Sequence, residues 1–323
     1  MKSSVRNTAC TKPVGAISSP SADRFAQQSQ KRGRWLPSPF SFGAGRLFGS
    51  VPHGGALSHP PLQVASLGSG SRGNATVVRA DQITLLVDAG FSTREIVARL
   101  ARLGVTLDEI DAVVLTHEHG DHLVGAGTLA RRVGCPVLAT QGTFKGGAKR
   151  LGRLDNTQVL RPGQSVRLSH VEIHPFTVPH DAEDPIALTL YCDGAHLGIF
   201  TDIGTPTDLT AYHLSRCNAA LVEFNFDPQM LRDGPYPWPL KERIAGRHGH
   251  LANDEAARLL NQCGAQQLQW VAAAHCSQTN NTPQRVRDAL DRCLPEQEAL
   301  SRLLTDQDHG MPWMPVWATP PVP

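Results

Sequence analysis

Apolar positions along the chain switch between two periods. From residue 63 to residue 87 short β-branched runs alternate with turn residues. Residues 63–67 precede the loop Gly68-Ser-Gly-Ser-Arg-Gly-Asn74, and residues 75–79 and 83–87 flank Asp81-Gln82. Such runs bounded by Gly, Asn and Asp predict strands, the last two a hairpin. The period then lengthens. Ser92, with Glu95 three residues later, predicts a helix start, and Ile96, Val97, Leu100 and Leu103 share one face before Gly104 closes it. Residues 112–115 read as a buried strand that runs into a polar segment, followed by a helix to about Arg132 and a strand over 136–139. Lys145, Lys149, Arg150 and Arg153 then read as a basic loop able to meet a nucleic-acid backbone. From Val166 the pattern turns strand-rich, with strands expected over 171–178, 187–192, 197–201, 219–224 and 268–274 and helices over 253–263 and 283–294. Hairpins mixed with strand–helix units predict two sheets with helices outside them, not one parallel sheet.

The 323 residues divide into three expected parts: a disordered basic extension over 1–61, one large α/β unit over 62–300, and an irregular Pro/Trp-rich tail over 301–323. Up to Leu62 there are eight Lys/Arg against one acid, Asp23, so this segment carries +7 and the remainder −5 for the net +2. A basic tail on a mildly acidic body names no partner by itself. No run of about 18 apolar residues is present, so no membrane helix is expected. The seven cysteines are scattered, without C-x-x-C spacing, which argues against a disulfide framework or a structural zinc site and fits a cytoplasmic location.

Candidate chemistry concentrates in His117-Glu-His119-Gly-Asp121-His122, directly after the predicted strand 112–115. A loop entering a helix can gather imidazoles and a carboxylate toward one point, and these donors suit Zn²⁺, Mn²⁺ or Fe²⁺. His180, Asp202 and His275 each follow an apolar run, where strands deliver polar groups to one sheet edge. Taken singly, each is more often an ordinary strand-end residue.

Together these residues resemble the metallo-β-lactamase superfamily, whose H-x-H-x-D-H pattern is followed by a later His, Asp and His. The resemblance implies an αββα four-layer sandwich. It implies one metal on His117, His119 and His180, a second on Asp121, His122 and His275, and Asp202 bridging them. Asp88 matches the family's first acidic motif, a carboxylate that orients the ligand loop. Two ions about 3.5–4 Å apart would acidify a bridging water, making hydroxide the nucleophile. Zinc is favoured by the histidines, with manganese or iron also compatible.

Further segments resemble the exonuclease branch of YycJ/WalJ type. They are residues 67–75, 180–185, 223–227 with its continuation to Asn253, and 275–283. Arg72, Ala187-Leu188 and Ala252 depart from residues usual in that branch. The resemblance implies a phosphodiesterase acting on nucleic acid, DNA before RNA. The alternative is a thioester or lactone hydrolase on the same scaffold. Oligomeric state is left open. Donors suited to substrate phosphates are Ser69, Ser71 and Asn74 in the Gly/Ser loop and Ser277, Asn280 and Asn281 after His275. Turn and cap chemistry explain the same residues about as well. Asp121 and His250 are the candidate proton carriers. The formal fingerprint Gly68-x-Gly70-x-x-Gly73 does not indicate a dinucleotide site, because a strand hairpin and not a helix is expected after it.

Overall fold

A computed structural model of the chain describes residues 59–263, 267–294 and 300–318. The basic extension expected over 1–61 falls almost wholly outside them. The first sheet is built from β1 (Leu62–Gly68), β2 (Ala75–Ala80), β3 (Ile83–Val87), β4 (Ala112–Val114), β5 (Val137–Thr140) and β6 (Thr157–Leu160) in that spatial order, with β14 (Met311–Val316) outside β1. The second runs β7 (Val166–Leu168), β8 (Val171–Thr177), β9 (Ile186–Cys192), β10 (Ala195–Phe200), β11 (Ala219–Glu223), β12 (Trp270–Ala274) and β13 (Ser301–Leu304). Both sheets are mixed. In each, hairpin strands pair antiparallel, and the strands reached by helical crossovers pair parallel.

Alternation along the strands explains the layering. Leu85 and Val87 of β3 point between the sheets with Val78, Val114, Leu188, Leu197 and Leu221. Their neighbour Leu86 points outward, beneath α1 (Thr93–Arg102) and α3 (Ala126–Val133), where Ile96, Leu100, Leu129 and Val133 cover it. The short α2 (Gly120–Leu123) lies between β4 and α3, and α5 (Asp208–Leu214) lies between β10 and β11. Ala220 and Val222 of β11 face α8 (Asn253–Gln262) and α9 (Pro283–Cys293) through Leu259, Leu260, Val286 and Leu290. Strands buried on both faces read as continuous apolar runs, as β4 and β12 do. Two mixed sheets inside two helical layers are the αββα sandwich expected.

Two segments differ from expectation, and a third carried none. The basic segment 141–151 is a helix, α4 (Gln141–Leu151), N-capped by Thr140. The region between β11 and α8 holds two short helices, α6 (Pro228–Asp233) and α7 (Trp238–Ala245), each with a proline in its first turn. The described part of the tail, 301–318, is not irregular: β13 and β14 extend one sheet each. The prolines of β14 are tolerated because this strand lies at a sheet edge. A Pro-containing run argues against a strand by its local pattern, and tertiary pairing recruits it nonetheless. Among the described residues, no helix is long and apolar enough to cross a membrane.

Candidate metal centre

The polar groups converge at the carboxyl ends of β3, β4, β8, β10, β11 and β12, the edge where α/β sheets usually place their sites. Asp88, Asp202 and His275 follow β3, β10 and β12 with φ of 59°, 59° and 54°. Left-handed backbone at a residue other than glycine is unfavourable, and here it turns three strand-end side chains out of the sheet direction. Local hydrogen bonds hold these turns. Asp88 N donates to Val114 O at 2.8 Å, His275 N donates to Ser69 Oγ at 2.8 Å, and His275 O accepts from Asn225 Nδ2 at 2.9 Å.

His117, His119, Asp121 and His122 come from the loop after β4 and from α2. His180 comes from the loop after β8. Ligand atoms lie within 4.8 Å of one another in each of several sets: His117, His119 and His180; Asp121, His122 and His275; His117, His122 and Asp202; and Asp202, Glu223, His250 and His275. The first two are the sets expected. Asp202 adjoins both, with carboxylate oxygens 3.3 Å from His122 Nε2 and 3.8 Å from His180 Nε2.

The ligand atoms point inward because the far sides of their side chains are tied down. Asp88 Oδ2 meets His122 Nδ1 at 2.8 Å, and Thr116 bridges Asp88 to His117 Nδ1. Gly249 O meets His180 Nδ1 at 2.9 Å, and Glu223 Oε1 meets His275 Nδ1 at 3.1 Å. The inner atoms are left over: His117 Nε2, His275 Nε2 and Asp202 Oδ2 are buried without a hydrogen-bond partner. His180 Nε2 and His119 Nδ1 stand 3.3 Å apart, aimed into one space. Buried polar atoms left this way are unfavourable unless a cation takes their lone pairs. The residues therefore fit divalent ions.

Titration behaviour points the same way. Burial, then the neighbouring His122, His180 and His119, pushes His117 well below the ordinary histidine range, so its lone pair is free. Burial also lowers His180. It would lower His122 and His275 too, but carboxylates outweigh it. Asp202, Asp88 and Asp121 raise His122, and Asp202, Asp121 and Glu223 raise His275 to about 10. Against the opposing effect of burial, His122 and His275 hold Asp121 well below the usual carboxylate range, and His250 and His275 do the same for Glu223. The cluster of carboxylates demands positive charge, from protons on two histidines or from metal ions in their place.

Glu223 is a member of the cluster that the ligand pattern does not single out. It is fully buried and accepts from Ile203 N at 2.7 Å, from Leu251 N at 3.3 Å and from the two imidazoles, His250 at 2.7 Å and His275 at 3.1 Å. It ends β11 as Asp202 and His275 follow theirs, and a carboxylate closing an apolar strand is the signal that could find it. His250, one-fifth exposed, stands beside the cluster with Nδ1 on Glu223 Oε1.

The expected phosphate donors are placed differently. Ser69 Oγ donates to Asn74 Oδ1 and accepts from His275 N; Asn74 Oδ1 also accepts from Gly70 N, and its Nδ2 reaches His122 Nε2 at 3.1 Å. Gln307 seals the loop from outside, accepting from Arg72 N and donating to Gly73 O. Ser277 Oγ caps Thr279 N and Asn280 N, and Asn281 joins Asn253, Phe224 O and Asn225 O. Ser69, Asn74, Ser277 and Asn281 thus brace the site internally, because short polar side chains in Gly-rich turns satisfy nearby backbone first. Ser71 is exposed, and Asn280 Oδ1 is buried without a partner.

A family model for the beta-lactamase superfamily domain matches residues 84–271. Exodeoxyribonuclease YycJ of Bacillus anthracis is 32% identical over 237 residues, covering 73% of this chain and 90% of that protein. Exodeoxyribonuclease WalJ of Streptococcus pneumoniae serotype 2 is 33% identical over 229 residues, covering 70% and 85%. Among solved structures, the metallo-beta-lactamase fold protein YhfI from Bacillus subtilis superposes with a TM-score of 0.62 at 16% identity over 79% of this chain and 99% of that one. The chain belongs to the beta-lactamase superfamily, as a metallo-β-lactamase-fold protein of YycJ/WalJ type.

Proposed function

We propose that the chain is a metal-dependent exonuclease that hydrolyses phosphodiester bonds of DNA. The observation that carries this reading is the set of buried, partnerless atoms His117 Nε2, His275 Nε2 and Asp202 Oδ2 at the centre of a complete ligand cluster. Exodeoxyribonuclease relatives aligned over 85% and 90% of their length support the substrate. His117, His119 and His180 would hold one divalent ion, and Asp121, His122 and His275 a second, with Asp202 shared. Ions bound there supply Lewis acidity, which acidifies water and neutralises charge growing on phosphoryl oxygens. Zinc is the resident ion in this reading, on the strength of the imidazole-rich ligands.

The chain's own residues handle orientation and protons. Asp121 Oδ2 lies 3.5 Å from both His122 Nε2 and His275 Nε2, and its side chain is one-quarter exposed, so it can accept a hydrogen bond from entering water and orient it. His250 Nδ1 is held by Glu223 Oε1, which leaves Nε2 to protonate the departing sugar oxygen. Ser69 holds the His275 backbone, and Asp88 on Nδ1 keeps His122 aimed. The hydrolase unit is proposed to include β13 and β14, and a cytoplasmic location belongs to the same reading.

The test is hydrolysis of 5′-phosphorylated single- and double-stranded DNA by metal-analysed protein, with Asp121→Ala and His122→Ala as controls. Stepwise shortening that disappears in the controls is expected. Bound metal with no cleavage of DNA or RNA, but with turnover of thioesters or lactones, would replace this reading.

A further inference from the structure

The geometry points to Lys149 and Arg150 of α4 as the contact for the DNA strand's phosphates next to the scissile one. This inference rests on the nuclease reading above. A cationic helix face is ordinarily just solvated, so its placement has to carry the argument.

Helix α4 lies very close to the ligand loop. A Cβ added at Gly146 would stand 2.6 Å from Glu118 Cγ, and one at Gly142 would stand 2.3 Å from Asp184 Cβ. Only glycine lets the helix backbone touch both the His117–His122 loop and the loop after His180. Glu118 Oε1 accepts from Glu183 N at 2.7 Å, so these two loops are also joined to each other. Residues 142, 146, 149 and 150 lie on one side of a helix at about 100° per residue. Lys149 and Arg150 therefore continue the contact face one turn beyond the glycines. The Arg150 guanidinium reaches Gly120, between the ligands His119 and Asp121: its Cζ is 3.7 Å from the position a Gly120 Cβ would occupy. Arg131 fixes the end of this helix by donating to Leu151 O at 2.7 Å and Arg153 O at 3.1 Å.

Charges along the segment divide into paired and free. Lys145 pairs with Glu183 at 3.2 Å and Arg153 with Asp155 at 3.3 Å. Lys149 and Arg150 are exposed and pair with no carboxylate among the described residues. The helix itself carries no acid. An unpaired guanidinium placed beside the ligand loop, with an ammonium next to it, suits an anion that enters the centre and continues beyond it, as a polynucleotide backbone does.

The measurement is kcat and KM on a ladder of single-stranded oligodeoxynucleotides across a salt series. Arg150→Ala, Lys149→Ala and the double variant are compared with wild type and with Arg153→Ala as the charge-matched control. Removing each phosphate-binding cation should flatten the plot of log(kcat/KM) against log[salt] by roughly 0.7 on single strands. The double variant should show a KM roughly tenfold higher on long oligomers, and its advantage of long over short oligomers should shrink. Arg150→Lys, a milder change, should keep the salt slope. Variants with the slope and length dependence of wild type and of Arg153→Ala would overturn the inference while leaving the nuclease intact. A wild-type protein that cleaves no DNA would instead overturn the reading on which it rests.

Discussion

Replacing Glu223 by glutamine isolates the carboxylate that joins β11 to two imidazoles. The native side chain is acceptor-only and takes four donors: Ile203 N, Leu251 N, His250 Nδ1 and His275 Nδ1. Glutamine offers one oxygen and one NH₂, so wherever the NH₂ sits it faces an N–H donor. At least one buried donor is then left without a partner, at about 1–3 kcal/mol. At roughly 2–4 °C per kcal/mol for a domain of this size, the melting temperature should fall by about 2–12 °C. The second consequence is on metal affinity. Removing a carboxylate behind a ligating histidine typically costs about 10–100-fold, because the ring is no longer oriented or made more basic. Chelator competition should therefore show that weakening confined to one ion of the two, the one held by His275. Thermal unfolding with excess metal would separate the two effects. A Glu223→Gln protein that binds two ions with affinities within about twofold of wild type, well inside that 10–100-fold range, would refute the assignment of Glu223 as the group that aims His275.

Deleting residues 301–323 removes β13 and β14 with buried Met311 and Val316 and with Gln307, so the shortened chain should fail to accumulate as folded protein, read by expression and circular dichroism. A tail of the irregular kind would be dispensable. Metal uptake should release protons at neutral pH. His275, with a folded value of about 10 against 6.5, and His122, raised likewise, hold protons that an ion must displace. Affinity should rise as pH is raised through neutrality. The stability these raised histidines give the metal-free protein is present below pH 6.5 and lost as pH rises through about 10. Calorimetry in buffers of different ionisation enthalpy checks this, and zero proton release would refute it.

What is legible in the sequence divides along physical lines. His117, His119, Asp121 and His122 can be read directly because they crowd one short segment, and His180, Asp202 and His275 stand out as polar groups closing apolar runs. Glu223 has the same signature but no place in the ligand pattern, so its service to His275 needs the register of β11 beside β12. Ser69 and Asn281 resemble phosphate donors because sequence shows donor capacity but not which partner takes it. Helix α4 looks like a loop because Gly142, Gly146 and Gly147 lower helix propensity, and tertiary contact with Glu118 and Asp184 overrides that. The tail hides its strand because β14 draws its partner from the far end of the fold, Val316 pairing with Leu62.

That distant pairing bears on how the centre holds together. Sheet one contributes Asp88 and the His117–His122 loop, while sheet two contributes His180, Asp202, Glu223 and His275. Neither of the two proposed ligand sets, His117–His119–His180 and Asp121–His122–His275, comes from one sheet alone, so ions bound by them would link the layers, and part of their binding free energy would become stability of that packing. The chain also ties the same edge covalently. The segment between β13 and β14 crosses from one sheet to the other beside the Gly68–Asn74 loop, and Gln307 and Arg99 fasten it there. Ser69 extends from that loop to His275 N. A left-handed histidine is unfavourable by roughly 1–2 kcal/mol, and the one at 275 is held by a loop that the β13–β14 crossing braces. The C-terminal strands are therefore part of the apparatus that presents His275, the last of the proposed ligands.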